Sequence, residues 1–185
     1  MSPRLSVIIP CRNGTNYLAE AVASVRTQGV EAEIIVVDDG STDATAEVAR
    51  SLGCTVISLP HSGLSAARNR GVEKVTGETV LFLDHDDLLR PGALRALLAA
   101  LEEDSSSGGI IARAQDFVSP ELDEEETRKI AIRPEPYHGL MSGAMLFRKN
   151  VVARVRGFDE ARARPRPWIS SSGCGRRASS CARST

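Results

Sequence analysis

A chain of 185 residues, 42% apolar and 25% charged, has room for one ordinary domain and a composition that excludes wholesale disorder. Its formal net charge of −1 gives no electrostatic reason to expect nucleic acid or an anionic membrane as partner. No run of about 20 apolar residues occurs, and a strand-like run begins at Leu5, so neither a transmembrane segment nor a cleavable leader is expected.

The expected station is therefore cytoplasmic, with peripheral attachment at the inner face of a membrane as the variant. Cys11, Cys54, Cys174 and Cys181 lack CxxC spacing and neighbouring histidines, which argues against zinc and against a disulfide framework.

In chain order, LSVIIP (5–10) is a short apolar run rich in β-branched residues and predicts a buried strand. Asn13-Gly14 marks a turn, after which Leu18, Ala21, Val22 and Val25 recur at helical spacing. EIIVVDD (33–39) predicts a second strand, followed by Gly40 and a Ser41 or Thr42 cap for a helix carrying Val48 and Leu52. CTVISL (54–59) is a third strand. Leu64, Ala67, Gly71, Val72 and Val75 then line one face of a helix that Gly77 should stop. TVLFLD (79–84) is the fourth and most apolar strand, and Pro91 opens a helix whose buried face carries Leu94, Leu97, Leu98 and Leu101. This alternation predicts an α/β domain with a mainly parallel sheet covered on both faces.

Ligands of such sheets bind beyond the carboxyl ends of the strands. The first strand delivers Pro10, Arg12 and Asn13 there, the second Asp38-Asp39-Gly40-Ser41, and the fourth Asp84-His85-Asp86-Asp87. Two acidic clusters with an arginine at one rim suit a phosphate-bearing ligand held through a divalent cation, because the cation reverses the repulsion between carboxylate and phosphate. The plainer alternatives are a capped turn at Asp39–Thr42, a solvated loop at 84–87 and exposed helix positions for Arg68 and Arg70. His85 reads as a lateral neighbour in the loop rather than a ligand, Cys11 as a small buried residue, and the acidic run 121–126 as a solvated loop or helix start. Dinucleotide, P-loop and hydrolase motifs are absent from the sequence.

LSVIIP with Arg12-Asn13, IIVVDDGSTDAT (34–45), GLSAARNRG (63–71), LFLDHDD (81–87) and GFDE (157–160) occur in that order. Together they resemble the family 2 glycosyltransferases, inverting enzymes of the GT-A fold, over residues 5–160. The resemblance implies a Rossmann-like nucleotide-sugar-binding domain at 1–160 that moves a sugar from a nucleoside-diphosphate donor to an acceptor hydroxyl of unspecified kind. It places Pro10, Arg12 and Asn13 around the base, with Asp39 bonded to the base and Asp38 beside it. Arg68 becomes a diphosphate or ribose contact. Asp84-His85-Asp86 takes the DxD position, where Asp84 meets ribose or sugar and Asp86 ligates Mn²⁺ or Mg²⁺; Asp87 supports the loop from behind. Gly143 and Ala144 fall where the family builds the floor for donor sugar and acceptor.

The family's catalytic base, the aspartate of a Glu-Asp pair after the GFDE segment, has no counterpart, and the catalytic residue stays unassigned. Residues 161–185 hold six arginines, six serines and no acid; of 23 basic and 24 acidic residues this leaves +6 on the tail and −7 on 1–160. The expectation is a non-native, out-of-frame and disordered basic ending. Trp168-Ile169-Ser170-Ser171-Ser172 read one base earlier is compatible with Leu-Asp-Leu-Glu-Phe, the acidic start the family would place there. A native basic tail for an acidic partner is the alternative. Two further readings of function stay open: a folded nucleotide-binding fragment with little or no transfer activity, and a nucleotidyltransferase, which would want a glycine-rich basic first loop that Cys11-Arg12-Asn13-Gly14 matches poorly.

Overall fold

The computed structural model describes residues 5–118, 135–137 and 144–161, together with the backbone of 176–180. Strand β1 (Leu5–Cys11) is buried at every position and lies inside a six-stranded sheet. On one side it pairs in parallel with β2 (Ala32–Asp39), which pairs in parallel with β3 (Thr55–Leu59). On the other side it pairs in parallel with β4 (Thr79–Phe82). Burial on both faces explains why the first strands are continuous apolar runs rather than alternating ones. The strand register sets Cys11 opposite Asp38 and Ile8 opposite Phe82, so the carboxyl ends of three neighbouring strands share one rim.

Alternation along β1 splits the core in two. Leu5, Val7, Ile9 and Cys11 pack with α1 (Leu18–Arg26) and α4 (Ala93–Glu103), whereas Ile8 faces α3 (Leu64–Val72), where Ala67 lies. The α3 helix crosses β1 so closely that a Cβ on Gly71 would stand 2.5 Å from Ile8 Cγ2, and only glycine allows that approach.

Three helix expectations need correction. Helix α2 (Thr45–Ser51) starts later than a Ser41 or Thr42 cap implies, because those residues are bonded to Asn13 and the Thr45 N–H is met by Asp43 Oδ1 at 3.1 Å. Leu64 is 41% exposed, since it occupies the first turn of α3 at the open rim. That helix also ends at Val72, ahead of Gly77, whose N–H is held by the Ser6 hydroxyl at 2.9 Å.

Beyond β4 the sheet continues with antiparallel strands that the apolar periodicity did not single out: β8 (Met145–Arg148) against β4, and β6 (Gly109–Ile111) against β8. At three and four residues they are too short to show a period. Helix α5 (Lys149–Arg154) follows β8 and sets Val152 into the Ile8 side of the core. A second sheet has the order β5 (Leu88–Leu89), β9 (Arg176–Ser180), β7 (Ala114–Val118). The basic tail thus supplies one strand despite its lack of an apolar period, since ladder bonds are made by the main chain. The remainder of the tail from 162, the acidic run 121–126 and Gly143 lie outside the described residues. Among the described residues no helix is long and apolar enough to cross a membrane.

Candidate functional site

The loops after β1 and β2 are stitched to each other. Asn13, at a left-handed φ of 52°, donates its N–H to Ser41 Oγ at 2.9 Å and accepts the Thr42 N–H at 2.8 Å. Gly14 N–H donates to Thr45 Oγ1 at 2.9 Å, and the Thr15 hydroxyl donates to Asp43 Oδ2 at 2.6 Å. Burial alone would raise the Asp43 carboxyl, but the Thr15 and Thr45 hydroxyls and backbone N–H groups prevail and hold it below the usual carboxylate range. Asn13 is thus engaged in joining the loops, and Pro10 lies buried within β1.

Asp38 and Asp39 are both buried at the end of β2. Asp38 Oδ1 accepts the Ser41 N–H at 3.0 Å and shapes the turn. Asp39 fastens the approach to α3: Oδ1 accepts Ser62 N–H at 2.6 Å, and Oδ2 accepts Gly63 N–H at 2.9 Å. Asp39 Oδ2 also stands 2.9 Å from His61 Nδ1, while His61 Nε2 stands 2.9 Å from Arg12 Nη1. A carboxylate offers about four lone-pair sites, so Asp39 retains about one for a ligand.

The opposite wall is built on Arg68, which is 0% exposed. Its Nη2 donates to Asp84 Oδ1 at 2.9 Å, and its guanidinium lies 5.4 Å from the centroid of the Phe158 ring. Among the described residues the Nε and Nη1 atoms of Arg68 have no hydrogen-bond partner. Orphaned N–H groups on a buried cation are costly, and an anionic or oxygen-rich ligand would satisfy them. Phe158 is placed by Asn69, and it packs edge-on against Phe82 at 5.0 Å.

Cys11 ties the acidic clusters together. Burial first, then the carboxylates of Asp38, Asp43 and Asp86, push its thiol far above the ordinary value, so it is no nucleophile. The parallel pairing of β2 and β4 on either side of β1 brings the ends that lead into the two acidic clusters to one rim. His85 is buried against the β1–α1 loop: a Cβ on Gly14 would lie 2.6 Å from His85 Cδ2. Asp87, also buried, closes the turn by donating its N–H to the Asp84 carbonyl at 3.1 Å. Ala144 is buried and receives the Ala112 N–H at 3.0 Å.

Among the described residues no group of three or more His, Cys, Asp or Glu side chains could hold a metal alone. Asp86 could hold a cation that completes its coordination with phosphate oxygens and water, the habit of Mg²⁺ at phosphate sites. His61, Asn69, Asp43 and Phe158 were not singled out from sequence as parts of the site. Their roles depend on partners distant in the chain, though Asn69 and Phe158 do sit inside the GLSAARNRG and GFDE segments.

Residues 6–156 match the family described as Glycosyl transferase family 2. An uncharacterized glycosyltransferase of Rickettsia typhi is 31% identical over 175 residues, covering 86% of this chain and 55% of the relative. The chain thus spans about half the length of that curated relative, and 31% of a similar one from Escherichia coli. Among solved structures, the mannosyltransferase PcManGT from Pyrobaculum calidifontis in complex with GDP-Man and Mn²⁺ superposes with a TM-score of 0.63 at 20% identity, covering 86% of this chain and 48% of that one. S. aureus TarS 1–349 in complex with UDP gives 0.64 at 23% identity, covering 87% and 51%. These likenesses establish the GT-A fold, and the family match extends through the Asp38-Asp39 and Asp84–Asp87 clusters to Arg156. The chain belongs to glycosyl transferase family 2.

Proposed function

We propose that this domain binds a nucleoside-diphosphate sugar at the carboxyl rim of the sheet and transfers the sugar to an acceptor hydroxyl with inversion and divalent-metal assistance. The observation that carries the reading is Arg68, buried beside Asp84 with two N–H-bearing nitrogens unpartnered among the described residues. A diphosphate or ribose oxygen there would satisfy them in a site of low dielectric, where charge-assisted bonds are strong. Asp39 keeps its remaining acceptor for the base, Asp38 shapes the turn beneath, and Arg12 and Asn13 border the nucleotide. Asp86 would hold Mn²⁺ or Mg²⁺, with Asp84 alongside, and the metal would supply charge compensation for the departing diphosphate.

A second reading rests on the sequence after Glu160, where the family's Glu-Asp pair has no counterpart: donor binding with little or no transfer. Thermal shift with UDP and GDP, each with and without Mn²⁺, tests the donor site, since a ligand at a hundred times its Kd stabilises by about 2.7 kcal/mol. No shift in any combination would refute both readings. Product formation from UDP- and GDP-sugars with an acceptor panel separates them, and pyrophosphate release from a nucleoside triphosphate would indicate nucleotidyl transfer instead.

A further inference from the structure

We infer that His61 is a positioning residue that fixes Arg12 for nucleotide recognition by relaying the charge of Asp39. The inference rests on the donor-site reading above. Asp39 is buried and its carboxylate only accepts, so the proton on the imidazole belongs on Nδ1, 2.9 Å from Asp39 Oδ2. Nε2 is then an acceptor, and Arg12 Nη1 donates to it at 2.9 Å. Both ends of the ring therefore specify the same neutral tautomer.

The backbone makes the arrangement possible. Gly40 has φ 71°, and a Cβ there would stand 2.7 Å from the backbone N of His61, so the end of β2 lies directly against the residue that carries the ring. Ser62 and Gly63 donate their N–H groups to Asp39 as well, which fixes the main chain on the far side of the ring. Arg12 itself sits on an exposed loop. Among the described residues its guanidinium is bonded to His61, which uses one of about five N–H donors and leaves the others for a ligand. Without the imidazole, the long Arg12 side chain would be ordered only at the moment of binding, and affinity would fall accordingly. Among the described residues the charged groups bonded to His61 are Asp39 from β2 and Arg12 from the loop after β1.

The test is a double-mutant cycle on UDP and GDP binding by calorimetry, with Arg12→Ala, His61→Ala and the double variant. The expected result is a loss of about tenfold for each single change and no further loss in the double. The amides of His61→Asn and His61→Gln offer the same donor and acceptor, and one of the two should restore most of the affinity. Additive losses, or failure of both amides while the ligand-free melting temperature is unchanged, would overturn the inference. Imidazole ¹⁵N shifts in the free protein give an independent reading. Nδ1–H with an Nε2 signal that moves in Arg12→Ala supports the relay, and Nε2–H refutes it. If wild type binds neither UDP nor GDP while the ¹⁵N shifts show the relay, it is the donor-site reading that has failed; a binding wild type with uncoupled Arg12 and His61 sinks the present inference alone.

Discussion

Asn69 and Phe158 hold each other by a reciprocal pair of bonds: Phe158 N–H donates to Asn69 Oδ1 at 2.8 Å, and Asn69 Nδ2 donates to the Phe158 carbonyl at 2.9 Å. Nδ2 also reaches Glu160 Oε1 at 2.8 Å. This clasp ties the GFDE segment to α3 and sets the Phe158 ring over Arg68. Asn69→Ala should lower stability by about 1–3 kcal/mol in urea unfolding, and Asn69→Asp should cost at least as much by placing a carboxylate beside the Phe158 carbonyl and Glu160. A change of a few tenths for both variants would remove the clasp from the account.

Arg68→Met separates folding from binding. Methionine fills similar volume without a buried charge, and Asp84 is 27% exposed, so water can take over its solvation. The unfolding free energy in urea should change by about 1 kcal/mol or less, while UDP or GDP affinity falls more than about tenfold. Retained affinity would mean that the orphaned guanidinium does not meet the nucleotide.

Asp86→Ala should abolish the Mn²⁺ response in nucleotide thermal shift. Asp39→Ala should weaken nucleotide binding with or without metal and also destabilise the fold, since three protein donors lose their acceptor. The combined stability cost is about 1–3 kcal/mol. An intact Mn²⁺ response in Asp86→Ala would displace the metal assignment.

Acid should act partly through the other end of the sheet. Burial pushes the Glu33 carboxyl up, but the Ser6 hydroxyl and the Thr76 and Gly77 N–H groups outweigh it and hold the group below its ordinary value of 4.5. A depressed carboxylate stabilises the fold above its unfolded value and loses that contribution as pH falls through the folded one. Urea unfolding followed down from pH 4.5 should therefore show a slope that Glu33→Gln reduces; Asp43, also depressed, retains its share. An identical slope in the variant would count against the assignment.

Product formation at saturating nucleotide sugar separates the two readings of function. Turnover in the ordinary enzymatic range, about 1 s⁻¹ or above, would support transfer and point to a carboxylate outside the expected position as the base; donor binding without product would support the second reading.

The parts legible in sequence are those written locally. Apolar runs ending in Asp38-Asp39 and Asp84–Asp87 announce parallel strands and a common acidic rim, and the structure has both. Helix starts were misread where a hydroxyl had a stronger distant partner: Ser41 and Thr42 serve Asn13, and Asp43 meets α2 instead. His61 was invisible because its meaning lies between Arg12, 49 positions earlier, and Asp39, 22 positions earlier. Antiparallel β8 and β6 escaped because three or four residues in a ladder leave no periodic trace.

The stitching of Asn13, Gly14 and Thr15 to Ser41, Thr42, Asp43 and Thr45 has a kinetic consequence. Two loops that would otherwise fluctuate separately form one preorganised wall, so their entropy is surrendered during folding rather than on docking. Nucleotide should then associate in a single bimolecular phase with no slow rearrangement of this wall. Cutting the stitch at Thr15 or Asp43 should convert that behaviour into a rate that saturates with ligand concentration, the mark of a conformational step.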